Sequence, residues 1–197
     1  MRTTKPVSTI SFNTPDFLKL KLTELEKAGI LSFWAFIRHK PEDDEAGKKL
    51  HQHVYMEPSK MVQTDNIRAE LRELDLAHPE KPLACLTFKS SKFGPWYLYA
   101  LHDKRYLASK GQSRRFHYGH DEIVTSDPDD LLAKSREIDM LSISPCADMI
   151  TAQEQGISWA EYFARGTVPL PMIQHFQQAW FLLVEDRTYR NEREGHE

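Results

Sequence analysis

The sequence has few cysteines and no long apolar run. Its only two cysteines, Cys85 and Cys146, lie far apart and fit no zinc-binding spacing. This excludes a disulfide framework and indicates a reducing compartment. No apolar run approaches the length that spans a membrane, and the N-terminus has no signal-peptide core. These absences predict a cytoplasmic protein that does not associate with membranes.

The rest of the composition is that of a soluble globular protein. Hydrophobic residues make up 40% and charged residues 28% of the 197 positions, which suits one medium domain or a domain with a small appendage. Charge is unevenly distributed. Residues 1–125 carry 20 Lys and Arg against 16 Asp and Glu, whereas residues 126–197 carry 6 against 13. The first part could therefore bind a polyanion, and the second is better suited to a protein contact.

Hydrophobic periodicity predicts alternating strands and helices in the first half of the chain. The predicted strands are residues 7–13, 30–37, 51–56 and 83–88. Thr14 and Thr64 are the predicted N-caps of the first two helices, and Gly94 is predicted to open a third that runs from Trp96 to His102. The first two helices carry the apolar sets Leu18, Leu22 and Leu25, then Ile67, Leu71 and Leu74. The order βαββαβ, followed by a helix, predicts an α+β fold with a ferredoxin-like antiparallel sheet and helices on one face. The other face would be open to hold a site.

Beyond about Thr125 the pattern becomes helical. Ser158 and Glu161 form a predicted capping box, and Pro171 is predicted to open another helix. That helix carries an apolar stripe of Phe176, Trp180 and Leu183.

We therefore divide the chain into a first domain, residues 1–126, and a small helical region, residues 127–197. The acidic balance and the aromatic stripe of the second region predict a homo-oligomer. The alternative is that these helices dock on the first domain.

His51 and His53 lie two residues apart in a predicted strand, so their side chains point to the same face. Both imidazoles could therefore bind one metal ion. The preceding strand leads to His39, and Glu42 lies three residues on, so neighbouring strands would add a third imidazole and an oxygen ligand. Mixed nitrogen and oxygen ligation suits Mn²⁺, Mg²⁺, Co²⁺ or Zn²⁺. A His-x-His pair alone more often lies on a polar surface than in a metal site. The addition of His39 and Glu42 to the pair favours a metal site.

The predicted helix after Gly94 carries two tyrosines. Two residues advance a helix by about 200°, so Tyr97 and Tyr99 would lie on nearly opposite faces. Tyr97 is nearer to the apolar direction of Leu98 and Leu101 and is predicted to pack in the core, which leaves Tyr99 as the freer phenol. The alternative is that both rings pack in the core.

A basic stretch interleaved with aromatic residues surrounds this helix. Cations bind phosphates and aromatic rings stack on unpaired bases, so the stretch is a candidate nucleic-acid surface. The alternative is a solvated loop. The basic residues are Lys89, Lys92, Lys104, Arg105, Lys110, Arg114 and Arg115. The interleaved rings are Phe93, Tyr106, Phe116, His117 and Tyr118.

Three segments together resemble the replication initiators of small rolling-circle plasmids, the RepB-type proteins of the HUH endonuclease superfamily. They are residues 36–43 (FIRHKPED), 51–55 (HQHVY) and 96–103 (WYLYALHD). Their order and spacing are similar to the metal and tyrosine motifs of that family, and the resemblance covers about residues 5–125.

The resemblance implies a role for each motif residue. His51 and His53 would be the HUH metal pair and His39 the third imidazole. Glu42 stands where the family often has an aspartate, with Asp43 as the alternative ligand. Tyr99 would be the nucleophile of a one-tyrosine enzyme. Gln52 departs from the motif, which usually has an apolar residue there.

The function that the resemblance implies is a metal-dependent DNA endonuclease and strand transferase. It would nick and rejoin single-stranded DNA at an origin through a 5′-phosphotyrosyl intermediate, with Mn²⁺ or Mg²⁺ as cofactor, and so start rolling-circle replication. Its partners would be origin DNA, as a single-stranded loop and flanking duplex, and further copies of the chain. The alternatives are a one-tyrosine transposase or relaxase of the same superfamily, or a non-catalytic module that binds RNA or single-stranded DNA.

Overall fold

The computed structural model describes residues 2–40, 50–72, 88–112, 114, 116–138, 147–166, 168 and 172–182. The chain forms two compact units. The first comprises Met1–Leu101 with Tyr118–Ile138, and the second comprises His102–His117 with Asp139–Glu197. Helices and antiparallel strands are both present, so the predicted α+β class is confirmed.

An antiparallel sheet of five strands forms the frame of the first unit. Its strands are β2 (Val7–Ser11), β3 (Leu31–His39), β4 (His51–Pro58), β6 (Lys89–Ser90) and β7 (Val124–Thr125). Their order across the sheet is β6-β2-β4-β3-β7. Two short strands, β1 (Arg2–Thr3) and β5 (Val62–Gln63), pair with each other separately.

The connectivity of this unit follows the predicted βαββαβ pattern. The helix α1 (Pro15–Lys27) lies between β2 and β3, and the helix α2 (Thr64–Glu70) lies between β4 and β6. The two central strands, β2 and β4, are flanked by β6 and β3, as a ferredoxin-like sheet requires. β7 extends this sheet beyond β3.

One face of the sheet carries the main apolar core under α1. Pro15 lies in the first turn of α1, where its missing N–H removes no helical hydrogen bond. Leu18, Leu22 and Leu25 recur at helical spacing and are buried. Burial of each leucine stabilises the fold by about 1.5–3 kcal/mol. The core on this face also includes Val7, Trp34, Phe36, Val54, Met56 and Ile67.

The opposite face of the sheet is covered by the helix α3 (Phe93–Ala100), and the prediction of an open face was wrong. The Tyr55 ring lies 5.1 Å from the Trp96 ring and 5.6 Å from the Phe93 ring. These aromatic side chains attach α3 to the sheet because they bury apolar area on both partners. The helix α5 (Pro128–Arg136) in turn packs against α3. A site on this face is therefore enclosed.

Three element boundaries differ from the sequence prediction. The last strand of the pattern is Lys89–Ser90, and residues 83–87 of the predicted strand lie outside the described residues. Thr64 is the first residue of α2, which follows Gln63, so it is not the cap. The helix α3 ends at Ala100, two residues early, because His102 adopts a left-handed backbone conformation with φ 54°.

The second unit is helical where it is described. It contains α4 (Lys104–Ser109), α6 (Ala147–Glu154), α7 (Trp159–Ala164) and a helix over residues 173–182. The predicted capping box is confirmed, since the Glu161 N–H donates to Ser158 Oγ and the Ser158 N–H donates to Glu161 Oε2. The core of this unit includes, among the described residues, Ala108, Met149, Ala152, Tyr162, Val168, Phe176, Ala179 and Trp180. Pro171 and Leu183 lie outside the described residues.

The compact units do not coincide with the predicted division at residue 126. α5 belongs to the first unit, and residues 102–117 belong to the second. The division into a first domain and an oligomerisation region stays a prediction. Of the helices in the described ranges, none is both long enough and apolar enough to cross a membrane.

Candidate metal centre

Pairing of β3 with β4 brings three histidines together. His39 is the last residue of β3 and lies directly opposite His51, the first residue of β4. His53 lies opposite Ile37 in the same register. Residues that face each other across an antiparallel pair share one face, and so do residues two apart on a strand. All three imidazoles therefore point to the face that α3 covers.

The three imidazoles form a compact buried cluster. Their exposed fractions are 0% for His39, 7% for His51 and 9% for His53. The His39 and His53 ring centroids are 4.4 Å apart, and those of His51 and His53 are 5.0 Å apart. One nitrogen from each ring lies within 4.8 Å of the other two. This cluster could hold a metal ion.

The spacing of His51 and His53 fits two ligands of one ion. Their Nε2 atoms are 3.2 Å apart. Two nitrogens that each lie about 2.1 Å from a metal are roughly 3.0–3.4 Å apart at octahedral or tetrahedral angles. Without a metal, one of the two Nε2 atoms must carry a proton to make this contact a hydrogen bond. Glu42 and Asp43, the predicted carboxylate ligands, lie outside the described residues.

His39 is also held by contacts outside the cluster. Its Nε2 atom donates a hydrogen bond to the carbonyl oxygen of Ala100, the last residue of α3, over 2.7 Å. Its ring stacks on the ring of Tyr118, with centroids 4.4 Å apart and planes 3° from parallel. Histidines that bind metals commonly donate their second ring N–H to a carbonyl, which fixes the tautomer and the ring orientation.

The two tyrosines of α3 have different surroundings. Tyr99 is half-buried, and its ring lies edge-on to His53 with centroids 5.5 Å apart. Tyr97 is buried and stacks on Phe93, and its hydroxyl lies 2.8 Å from Nδ1 of His120. Tyr99 is thus the tyrosine of α3 that combines partial exposure with a place beside the histidine cluster.

Tyr55, two residues after His53 on β4, is a third phenol on the same face. It is 1% exposed, and its hydroxyl donates to Glu57 over 3.1 Å. Burial raises the pKa of Tyr55 far above its ordinary value, and the negative charge of Glu57 raises it further. Tyr55 is therefore a neutral, enclosed packing residue and a poor nucleophile.

The predicted basic residues are divided between the two units. Lys89 and Lys92 belong to the first unit and are exposed. Lys104, Arg105, Lys110 and Arg114 belong to the second, and Arg115 lies outside the described residues. Arg105 forms an ion pair with Glu154, and this hydrogen-bonded partner raises the pKa of the guanidinium. Its charge is thus partly compensated within the protein, and a DNA-binding role for the set stays a prediction.

Two of the interleaved aromatic residues are packed inside the protein. Tyr118 is 6% exposed and stacks on His39, and Tyr106 is 8% exposed. Neither ring can stack broadly on a base in this conformation. Tyr118 thus supports the histidine cluster, a role that its place in a basic sequence did not indicate.

Sequence reasoning also missed the carbonyl of Ala100 as a partner of His39. A backbone acceptor leaves no signal in residue type, and the contact depends on where α3 ends. The one sequence signal for this contact was that Ala100 directly follows Tyr99, in a segment already assigned to the site.

No model of a protein family matches this chain, and no curated protein is significantly similar to it. The case for a function therefore depends on the site residues themselves.

Proposed function

We propose that the protein is a metal-dependent endonuclease that nicks and rejoins single-stranded DNA, with Tyr99 as its nucleophile and His39, His51 and His53 as metal ligands. Its biological role would be that of a replication initiator, which starts rolling-circle replication at an origin. Glu42 would complete the ligand set, and Mn²⁺ or Mg²⁺ is the proposed metal because oxygen ligands suit both ions.

The observation that carries this proposal is the position of Tyr99 beside the histidine cluster. The ring centroids of Tyr99 and His53 are 5.5 Å apart. At that distance the Tyr99 phenol can reach a phosphate bound over the histidine cluster. A purely structural histidine cluster would not need a half-buried tyrosine at its edge. A binding module without chemistry would not need three convergent imidazoles.

The reaction assigned to Tyr99 is an in-line displacement at phosphorus. The phenolic oxygen gives up its proton and forms a bond to the scissile phosphorus while the bond to the 3′-oxygen of the preceding nucleotide breaks. The departing 3′-oxygen takes up one proton, which balances the proton that the phenol loses, so the products are a 5′-phosphotyrosyl linkage and a 3′-hydroxyl. The reverse step rejoins the strand. A bound divalent ion would polarise the phosphate and stabilise the charge that builds up on its oxygens.

The reaction needs a metal ion because the ordinary pKa of tyrosine is about 10, so few phenols are ionised at neutral pH. His39, His51 and His53 would hold the ion, and α3 would hold Tyr99 in line with the phosphorus. Holding both groups in place removes much of the entropic cost of bringing them together. Lys89 and Lys92, both exposed in the first unit, would contact the phosphate backbone of the bound strand.

A covalent-adduct assay tests the proposal. The full chain is incubated with end-labelled single-stranded DNA that contains a candidate origin loop, with Mn²⁺ or with EDTA, and analysed on denaturing gels. We expect a shifted protein–DNA band only with the metal, and loss of that band in Tyr99→Phe. A chain that binds the DNA and one Mn²⁺ but gives no adduct on any loop tested would contradict the endonuclease function.

Binding without metal would support a different function. If the chain binds single-stranded DNA or RNA and takes up no Mn²⁺ or Mg²⁺, the non-catalytic module is the better description. A transposase or relaxase would give the same adduct but would prefer transposon-end or transfer-origin DNA over a replication origin.

A further inference from the structure

His39 makes a contact that separates it chemically from the other two histidines. A carbonyl oxygen can only accept a hydrogen bond, so the 2.7 Å contact with Ala100 requires a proton on His39 Nε2. In a neutral imidazole the lone pair is then on Nδ1. His51 and His53 instead direct their Nε2 atoms at each other over 3.2 Å.

The contact also satisfies a structural need of α3. The last four carbonyls of a helix have no partner within the helix. Ala100 is the final residue of α3, and its carbonyl accepts from His39. The next carbonyl, that of Leu101, accepts from the N–H of Tyr118 over 3.0 Å.

Tyr118 and His39 therefore act together on the end of α3. The two rings are stacked, and each residue bonds one of two consecutive carbonyls that directly follow Tyr99. A movement of the His39 ring would thus shift the helical turn that carries the proposed nucleophile.

We infer that His39 has two simultaneous roles: it binds the metal through Nδ1, whereas His51 and His53 bind through Nε2, and its Nε2–H positions the end of α3 and hence Tyr99. The inference rests on the metal site of the proposed function. It adds that occupation of this site and the order of the nucleophile helix are coupled through a single side chain.

The direction of the coupling follows from charge. When Nδ1 shares its lone pair with a divalent ion, the ring becomes more positive and its Nε2–H becomes a stronger donor. The bond to Ala100 should strengthen and hold the last turn of α3 more firmly. By linkage, the factor by which the bound metal stabilises this hydrogen bond equals the factor by which the hydrogen bond strengthens metal binding. Loss of the bond should therefore weaken metal binding by that factor.

Two substitutions separate the roles of His39. His39→Gln keeps an amide N–H near the place of Nε2 and loses the imidazole ligand. His39→Asn keeps a polar group near the place of Nδ1 and is too short to reach the Ala100 carbonyl. His175→Asn replaces a half-buried histidine of the second unit and is the matched control.

The experiment uses the full ¹⁵N-labelled chain and Zn²⁺, a diamagnetic probe for the site. Long-range ¹H–¹⁵N spectra identify which ring nitrogen of each histidine is bound to the ion and which carries a proton. We expect Nδ1 to be bound in His39 and Nε2 in His51 and His53. This reading uses the unchanged protein, so it holds even if a variant fails to fold.

Amide hydrogen exchange then measures the coupling. Leu101 N–H bonds to the Tyr97 carbonyl in the last turn of α3. Zn²⁺ should slow its exchange by about tenfold, a typical size for coupling between two sites. The slowing should persist in His175→Asn and vanish in His39→Asn. His39→Gln should retain slow exchange without metal and show little further response to Zn²⁺.

Two results would overturn the inference and leave the proposed metal site intact: ligation of His39 through Nε2, or Zn²⁺ binding that does not change exchange at Leu101. Failure of Zn²⁺, Mn²⁺ and Mg²⁺ to bind the unchanged chain at all would overturn the inference and the proposed function together.

Discussion

The ring of Tyr99 lies edge-on to the ring of His53, with their centroids 5.5 Å apart and their planes 71° from parallel. The two residues come from different elements, α3 and β4, and are more than forty positions apart in the chain. Their contact places a half-buried phenol beside a buried histidine cluster, and the first prediction concerns that cluster.

Replacing His51 and His53 together by Ala should abolish metal binding and DNA nicking. The change removes the two imidazoles whose Nε2 atoms are 3.2 Å apart, so the ion loses two of its nitrogen ligands. Affinity for single-stranded DNA should fall much less, because phosphate contacts come mainly from basic residues. Isothermal titration with Mn²⁺ and gel-shift titration with DNA measure the two effects separately.

His175→Ala is the control for this double variant, since it removes a histidine from the second unit. It should bind metal and cleave DNA as the unchanged chain does. Undiminished cleavage by the double variant, with its fold verified by circular dichroism, would show that the histidine cluster is not the metal site.

Gln52→Met should make the protein more stable. The Gln52 side chain is fully buried on the α1 side of the sheet, and its amide has no hydrogen-bond partner within the described residues. An unsatisfied buried polar group costs about 1–3 kcal/mol, and methionine has a similar shape without that cost. We expect the free energy of unfolding to rise by about 1 kcal/mol in urea titrations.

Met56→Ala is the matched comparison for Gln52→Met, because Met56 lies on the same strand and face and is equally buried. Truncation there should lower the free energy of unfolding by about 2–5 kcal/mol. A Gln52→Met protein that is less stable than the unchanged chain would mean that the amide is hydrogen-bonded in solution.

Much of the first unit could be predicted from sequence because its strands and helices are strongly patterned. Leu18, Leu22 and Leu25 repeat with helical spacing, and the HQH segment begins a strand whose alternate residues share a face. These local periodicities gave the order of strands and helices from which the antiparallel sheet was predicted. Strand alternation also predicted that His51 and His53 share one face.

The enclosure of the site could not be predicted in the same way. It depends on tertiary contacts of α3 with the sheet, such as the 5.1 Å approach of Trp96 to Tyr55. Apolar composition shows that these rings are buried, but it does not show against which face. The stacking of Tyr118 on His39 has the same origin, since it joins two segments distant in sequence.

The predicted homo-oligomer can be tested with two exposed rings of the second unit. Phe163 is 43% and Phe181 is 53% exposed, so both rings have apolar area that a second copy could cover. If these rings bury apolar area between copies, replacing both by Ser should shift the full chain towards monomer in analytical ultracentrifugation. Full-length protein is required, because cutting at residue 126 would remove α5 from the first unit.

Leu20→Ser is the control for that pair, since Leu20 is 56% exposed on α1 in the first unit. It should leave the sedimentation coefficient unchanged. If the unchanged chain already sediments as a monomer at micromolar concentration, the oligomer prediction is wrong.

The central claim is that Tyr99, and not Tyr97, becomes attached to DNA. Tyr97 is buried and its hydroxyl contacts His120, whereas Tyr99 lies at the edge of the histidine cluster. Tyr99→Phe keeps the ring and removes the nucleophilic oxygen, so the fold should survive and adduct formation should disappear. Tyr97→Phe should lose one hydrogen bond, worth about 0.5–1.5 kcal/mol of stability, and keep most of its activity.

Peptide mapping of the covalent adduct by mass spectrometry tests this claim most directly. The unchanged chain is incubated with single-stranded origin DNA and Mn²⁺, the adduct is digested with nuclease and protease, and the modified residue is identified. We predict a nucleotide linked through phosphate to Tyr99. A nucleotide linked to Tyr97, or an adduct that forms undiminished in Tyr99→Phe, would contradict the account.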